Sequence, residues 1–192
     1  METQLQAAKV ALRKQIRERL RRHWPTARVD GSRELCASLR QVSAWLSAKS
    51  VMCFAPLPDE VDIWPLVEEA LANGKAVALP RFSVVTQGYV AAIVRDPGAD
   101  LGEGRFGIRE PRAECPEFPL GRLDLVLVPG VAFDACGHRL GRGHGFYDRL
   151  LGEVRGVKCG VAFDEQVLAE VPAGCEDVRV NCIVTPTRWL EC

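Results

Sequence analysis

Residues 125–151 read LVLVPGVAFDACGHRLGRGHGFYDRLL, and this stretch decides the fold. Leu125–Val128 is apolar without alternation, and Pro129 and Gly130 stop it. Such runs belong to strands buried on both faces, as in parallel sheets covered by helices. A turn dense in glycine follows. The pattern after it predicts a helix near Phe146–Leu151. Strand, turn and helix in that order form the repeating unit of an α/β fold. Ligands of such folds sit beyond the carboxyl ends of the strands.

The same unit recurs outward from this stretch. Leu5, Ala8, Leu12, Ile16 and Leu20 predict a helix over Leu5–Arg22, ended by Pro25. A second helix is expected over Gly31–Ala48, with Leu35, Leu39, Val42 and Leu46 on one stripe. Val51–Ala55 reads as a buried strand that leaves through Pro56 and Pro58. Asp62 suits the cap of a following helix, with Pro65 in its first turn and Gly74 at its end. Ala76–Leu79 is a strand stopped by Pro80, and Tyr89–Val94 is another. Residues 96–119 read as a long connection. Val157–Phe163 is a strand, Glu165–Ala169 a short helix, and Ile183–Val184 the last apolar step. The expectation is one domain over residues 1–192. It is a three-layer α/β/α arrangement around a mostly parallel central sheet, with N-terminal helices 1–48 packed on the core.

Composition narrows the function. The 192 residues suit a single domain, and 47% of them are hydrophobic, enough for a sizeable core. Lys plus Arg and Asp plus Glu are 25 each, so no basic excess points to nucleic acid. No apolar run is long enough to span a bilayer, and no signal-peptide pattern opens the chain. A cytoplasmic monomer without a membrane partner is expected. The 8 cysteines include no CxxC pair, so reduced thiols acting as small hydrophobes are expected, not a zinc site.

The loop carries the chemistry. Gly137, Gly141, Gly143 and Gly145 alternate with bulky and basic residues. Glycine permits positive φ, and successive exposed N–H groups make a nest for an anion. A helix starting just behind adds its positive end. Arg139 and Arg142 can grip phosphate oxygens bidentately. This is a phosphate-binding loop of neither the P-loop nor the GxGxxG type. The bland alternative is a tight turn with solvated arginines. The preceding strand, the two arginines and the following Tyr147–Asp148 weigh against it. Lys9 and Arg13 share one helical face, yet with Arg17, Arg19, Arg21 and Arg22 nearby they also fit a solvated basic helix. His138 and His144, with three histidines in all, read as polar loop residues and not as ligands.

The run PGVAFD…G.RLGRG.GFYDR resembles the signature of the 5-formyltetrahydrofolate cyclo-ligases. Lys9–Arg13, Asp59–Asp62, Gly107–Pro111, Asp177 and Thr185 resemble further elements of that family, across most of the chain. The resemblance implies ATP as phosphate donor, Mg²⁺ as metal and 5-formyltetrahydrofolate as substrate. It implies that Lys9, Arg13, Arg139, Gly141, Arg142, Gly143, His144, Gly145, Tyr147 and Asp148 bind ATP. Glu60, Arg142, Gly145, Phe146 and Tyr147 would line the folate pocket, with Glu60 on the pterin and Phe146 leaning towards the core. Asp148 and Asp177 would hold the metal, and Arg142 and Tyr147 would sit at the reacting group. His144 stands where the family commonly has Gly or Lys, Glu176 where bacterial members often have His, and Asn181 where Asp is common. A relative acting on another substrate, a nucleotide-binding module without catalysis, and a sugar-phosphate isomerase or acyl-carrier transferase of similar architecture are the competing readings.

Overall fold

The computed structural model describes residues 2–22, 26–104 and 107–192. In chain order the elements are α1 (Glu2–Arg22), α2 (Thr26–Leu39), α3 (Ser43–Ser47), β1 (Ser50–Met52), α4 (Trp64–Ala72), β2 (Ala76–Ser83), β3 (Gly88–Val94), α5 (Pro97–Asp100), β4 (Leu101–Glu103), β5 (Arg109–Pro111), β6 (Leu125–Pro129), β7 (Ala132–Asp134), β8 (Arg139–Leu140), α6 (Phe146–Glu153), β9 (Val157–Val161), β10 (Val167–Leu168), β11 (Cys182–Val184) and β12 (Trp189–Glu191). Pro25, expected to end the first helix, lies outside the described residues.

The central sheet has 7 strands in the order β12-β11-β9-β6-β1-β2-β3. The inner five pair in parallel, and antiparallel β3 and β12 close the two edges. This is the mostly parallel sheet that the unbroken apolar runs predict. The side chains of β6 divide between two covered faces. Leu125 and Leu127 join a core with Leu35, Leu39, Trp45, Leu66 and Val67 from α2, α3 and α4. Val126 and Val128 join another with Leu150 and Leu151 from α6. Successive strand residues point to opposite faces, so a strand covered on both sides has to be apolar at every position.

β1 and β6 are neighbours, with Val51 opposite Leu125 and Met52 opposite Val126. From β1 the chain moves to β2 on one side, whereas β6 leads to β9 and β11 on the other. The loops leaving these two strands therefore part at their carboxyl ends and open a crevice. A second sheet, β10-β7-β8, stands beside it. Ile16 and Leu20 of α1 pack there against Val131, Ala132, Leu140 and Val171.

Four local expectations are corrected. The helix foreseen over 31–48 is two helices, α2 and α3. The break turns Trp45 inward (2% exposed) and leaves Leu46 out (64%), so one continuous stripe is not used. Pro80 does not stop β2, which runs to Ser83. β1 pairs with β2 only as far as Ala78, so beyond it that side of β2 is a free edge, where the missing N–H is tolerated. The helix foreseen over Glu165–Ala169 is a 3-10 turn, Asp164–Gln166, followed by β10 on β7. Asp62 precedes the α4 boundary residue Ile63 and accepts from Trp64 N at 3.1 Å. The connection over 96–119 carries α5 and the β4–β5 hairpin. The cysteines are free, with Cys36, Cys53, Cys115, Cys159 and Cys182 buried. Among the described residues no helix is long and apolar enough to cross a membrane.

Leu127 is fully buried, while Val85 is 89% exposed at the β2–β3 tip. Leu127→Ala is expected to lower unfolding free energy by about 2–5 kcal/mol. Val85→Ala should stay within about 0.5 kcal/mol of the parent. Urea denaturation of the two variants measures both values.

Candidate functional site

The crevice between the β1 and β6 exits is a cleft of about 280 Å³. Every residue singled out in the sequence for ATP, folate or metal lines it: Lys9, Arg13, Glu60, Arg139, Gly141, Arg142, Gly143, His144, Gly145, Phe146, Tyr147, Asp148 and Asp177. They come from α1, the loop after β1, β8 and the turn after it, the start of α6 and the segment before β11.

Asp134 at the end of β7 fixes the start of the glycine turn. Its carboxylate is 2% exposed. It accepts from Cys136 N (3.0 Å), His138 N (3.1 Å) and Val171 N (2.9 Å), and pairs with His138 Nδ1 (3.0 Å). This accounts for His138. Beyond β8, Gly143 (φ 110°) and Gly145 (φ 64°) take left-handed backbone that L side chains rarely adopt. Gly145 is the cap of α6, so the turn delivers its amides at a helix start. The amides of Gly143 and Gly145 carry no recorded hydrogen bond within the described residues.

Three cation–carboxylate pairs line the cleft. Lys9 Nζ meets Asp177 Oδ2 at 2.5 Å, and that oxygen also accepts from Gly174 N at 2.6 Å. Arg139 Nη2 donates to Asp148 Oδ1 at 2.8 Å. Arg142 donates to Glu60 Oε1 through Nε (3.1 Å) and Nη2 (3.0 Å), and Nη2 also reaches Asp59 Oδ1 at 2.5 Å. Arg13 Nε holds the turn itself, donating to Gly141 O at 2.8 Å. Arg139 is 5% exposed, and its Nε is buried with no partner. A buried unpaired N–H is costly and marks a place for an acceptor.

Proton affinities follow from this setting. Burial pushes the Glu60 carboxyl above its ordinary value, although Arg142 and the Leu57 amide pull the other way. For Arg142 burial alone would weaken the charge, but Asp59 and Glu60 more than compensate and raise its value. For Asp177 burial opposes ionisation, yet the Gly174 amide and Lys9 hold it below the carboxylate range. Tyr147 is pushed well up, first by burial and then by the charge of Glu60, so its hydroxyl stays protonated.

The remaining wall is aromatic. Phe146 packs edge-on to Tyr89 (5.2 Å) and Phe82 (5.9 Å) and carries the His144 ring stacked on it at 5.7 Å. Phe146 thus faces the cleft instead of the core. Trp64 packs on the core outside the cleft, with Arg109 stacked on it at 4.9 Å. Tyr89, Phe54, Ile108 and Glu110 also line the cleft, and sequence reasoning gave them no role. Only Ile108 and Glu110 had a signal, the Gly107–Pro111 element. For Glu110 the structure shows what it does. Its buried carboxylate brackets the wall, accepting from Phe82 N (2.9 Å) and Tyr89 Oη (3.2 Å). Asn181 lies away from the cleft, where it ties β9 to β11 by bonding Lys158 N at 2.9 Å.

Among the described residues no cluster of three or more His, Cys, Asp or Glu forms a ready metal cage. Asp148 and Asp177 nonetheless fit a magnesium ion. Each keeps one carboxylate oxygen without a recorded partner in the same cleft. Mg²⁺ takes one or two protein carboxylates and fills the rest of its shell with phosphate oxygens and water.

The model of the 5-formyltetrahydrofolate cyclo-ligase family matches residues 5–186. A 5-formyltetrahydrofolate cyclo-ligase of Escherichia coli (strain K12) is 32% identical over 180 residues, covering 92% of this chain and 99% of the relative. One from Mycolicibacterium smegmatis is 34% identical over 155 residues, covering 76% and 77%. The solved 5,10-methenyltetrahydrofolate synthetase of Aquifex aeolicus superposes with a TM-score of 0.85 at 36% identity, covering 95% of this chain and 92% of that one.

The carboxyl of Asp134 sits below its ordinary value because the backbone amide of Val171, His138 and its amide outweigh burial. A depressed carboxylate adds stability above its unfolded pKa, near 3.9, and loses it as pH falls through the folded value. Asp134→Asn is therefore expected to lower stability at pH 7 by about 1–3 kcal/mol. It should also flatten the loss of stability below about pH 4. Urea denaturation across pH tests both.

Proposed function

Because the chain belongs to the 5-formyltetrahydrofolate cyclo-ligase family, we propose that it converts 5-formyltetrahydrofolate to 5,10-methenyltetrahydrofolate with ATP and magnesium, releasing ADP and phosphate. The observation that carries this reading is that one cleft is lined by two kinds of group. Lys9, Arg13, Arg139 and the Gly141–Gly145 turn offer cations and backbone amides. Glu60 offers a carboxylate, and Phe54, Tyr89, Ile108, Phe146 and Tyr147 offer apolar and aromatic surface.

The chemistry needs both kinds of group. The formyl oxygen on N5 is a poor leaving group. Transfer of the γ-phosphoryl group to it gives an iminium phosphate and ADP. N10 attacks the activated carbon, and the C–O bond breaks with departure of inorganic phosphate. Phosphoryl transfer depends chiefly on positioning and on charge neutralisation. Arg139 supports that role with a buried guanidinium whose Nε lacks an acceptor. The left-handed glycines bring backbone amides close to the phosphate chain. Lys9 and Arg13 hold the rest of that chain. A magnesium ion on Asp148 and Asp177 would neutralise charge between the β- and γ-phosphates. Glu60 accepts from the adjacent N–H donors of the pterin, and the aromatic wall excludes water from its ring. Tyr147 remains a neutral donor near the formyl group.

The test is the growth of methenyltetrahydrofolate absorbance when the protein meets 5-formyltetrahydrofolate, ATP and Mg²⁺. ATP dependence and loss on chelating the metal are expected. Arg139→Met should lower kcat on the order of 10²-fold or more. A folded protein that binds ATP and forms no methenyl product would overturn the assignment.

A further inference from the structure

The Arg142–Glu60 pair presents a conflict. The proposed function asks Glu60 to accept from the pterin and Arg142 to reach phosphate, yet here each occupies the other. Glu60 is 8% exposed. Its Oε2 accepts from Leu57 N at 2.9 Å and keeps one lone pair, so a pterin that pairs with both oxygens also needs Oε1. Both recorded bonds from Arg142 to Glu60 end on that Oε1. A folate arriving alone has to displace the guanidinium. It would then leave a cation, 31% exposed along its side chain, short of its main partner. Separating a desolvated pair without replacing either partner is costly.

Asp59 changes this balance. It is the neighbouring residue, its side chain is 43% exposed, and it holds the same Nη2. It can move with the guanidinium when Glu60 cannot. Nη1 of Arg142 has no recorded partner among the described residues, so a phosphate oxygen can add to the group before Glu60 releases it.

We propose that Arg142 is an exchangeable counter-ion that the nucleotide draws from Glu60, opening the folate position, and that Asp59 is the positioning residue that holds the guanidinium during the exchange. The inference rests on the folate and ATP reading above and adds an energetic link between the two ligands. By linkage each ligand tightens the other. The link runs through one side chain that both ligands compete to re-pair.

Calorimetric titration of 5-formyltetrahydrofolate, in Mg²⁺ with and without a non-hydrolysable ATP analogue, tests this. In the unaltered protein the analogue should tighten the folate about tenfold, within the usual range of coupling between sites. Arg142→Met removes the competitor, so it should bind the folate without nucleotide more tightly than the parent does, and the analogue should then add nothing. Asp59→Asn leaves Glu60 as the only carboxylate on the guanidinium. It should raise KM for the folate about two- to fivefold, a surface-pair effect, with a smaller change in kcat. A parent protein that binds the folate equally well with and without the analogue overturns the relay. So does an Arg142→Met protein that keeps the coupling. Absence of folate binding in every sample overturns the folate reading itself, and the relay with it.

Discussion

Lys9, Arg139 and Glu60 are 7, 5 and 8% exposed, and charge withdrawn that far from water persists only when an opposite charge lies against it. Each has such a partner: Asp177, Asp148 and Arg142. Two of these pairs join distant parts of the chain, separated by 168 residues for Lys9 and Asp177 and by 82 for Arg142 and Glu60. They therefore cannot form until α1, the loop after β1, the glycine turn and the segment before β11 have met. The cleft is thus tied together by groups that its ligands have to take apart. Anions claim the cations and a metal and a pterin claim the carboxylates, so binding both ligands replaces each broken pair.

The fold supplies the meeting point. Parallel pairing of β1 with β6, and the opposite onward paths from them, place two loops at one crevice. Gln166 holds the loops in register, donating to Gly130 O at 2.9 Å and Val131 O at 3.1 Å while accepting from Phe163 N. α1 reaches the same crevice because Ile16 and Leu20 anchor it on the small sheet. Lys9 and Arg13 continue the same face of α1 towards its N-terminus, where it lies over the cleft.

What the sequence made legible was local. The unbroken run Leu125–Val128 reports burial on both faces by itself, and glycine spacing reports backbone freedom by itself. The parallel sheet and the loop followed from these. The pairings were not legible, because Arg142 chooses Glu60 through tertiary closeness and not through any spacing along the chain. The same holds for Tyr89 and Phe82, whose aromatic wall forms only once the β2–β3 hairpin meets α6. Pro80 misled because proline is tolerated in β2 only where β1 has ended, a fact about a neighbour's length. The single helix expected over 31–48 failed because a repeating stripe does not show where the chain must turn to bring Trp45 inward.

The most direct test of phosphoryl transfer to the formyl group is an isotope measurement. 5-Formyltetrahydrofolate carrying ¹⁸O in its formyl group is turned over with unlabelled ATP, and the inorganic phosphate is analysed by mass spectrometry. The account predicts one ¹⁸O in each phosphate released, because the formyl oxygen leaves on phosphorus. Unlabelled phosphate, with the ¹⁸O recovered in water, would contradict it.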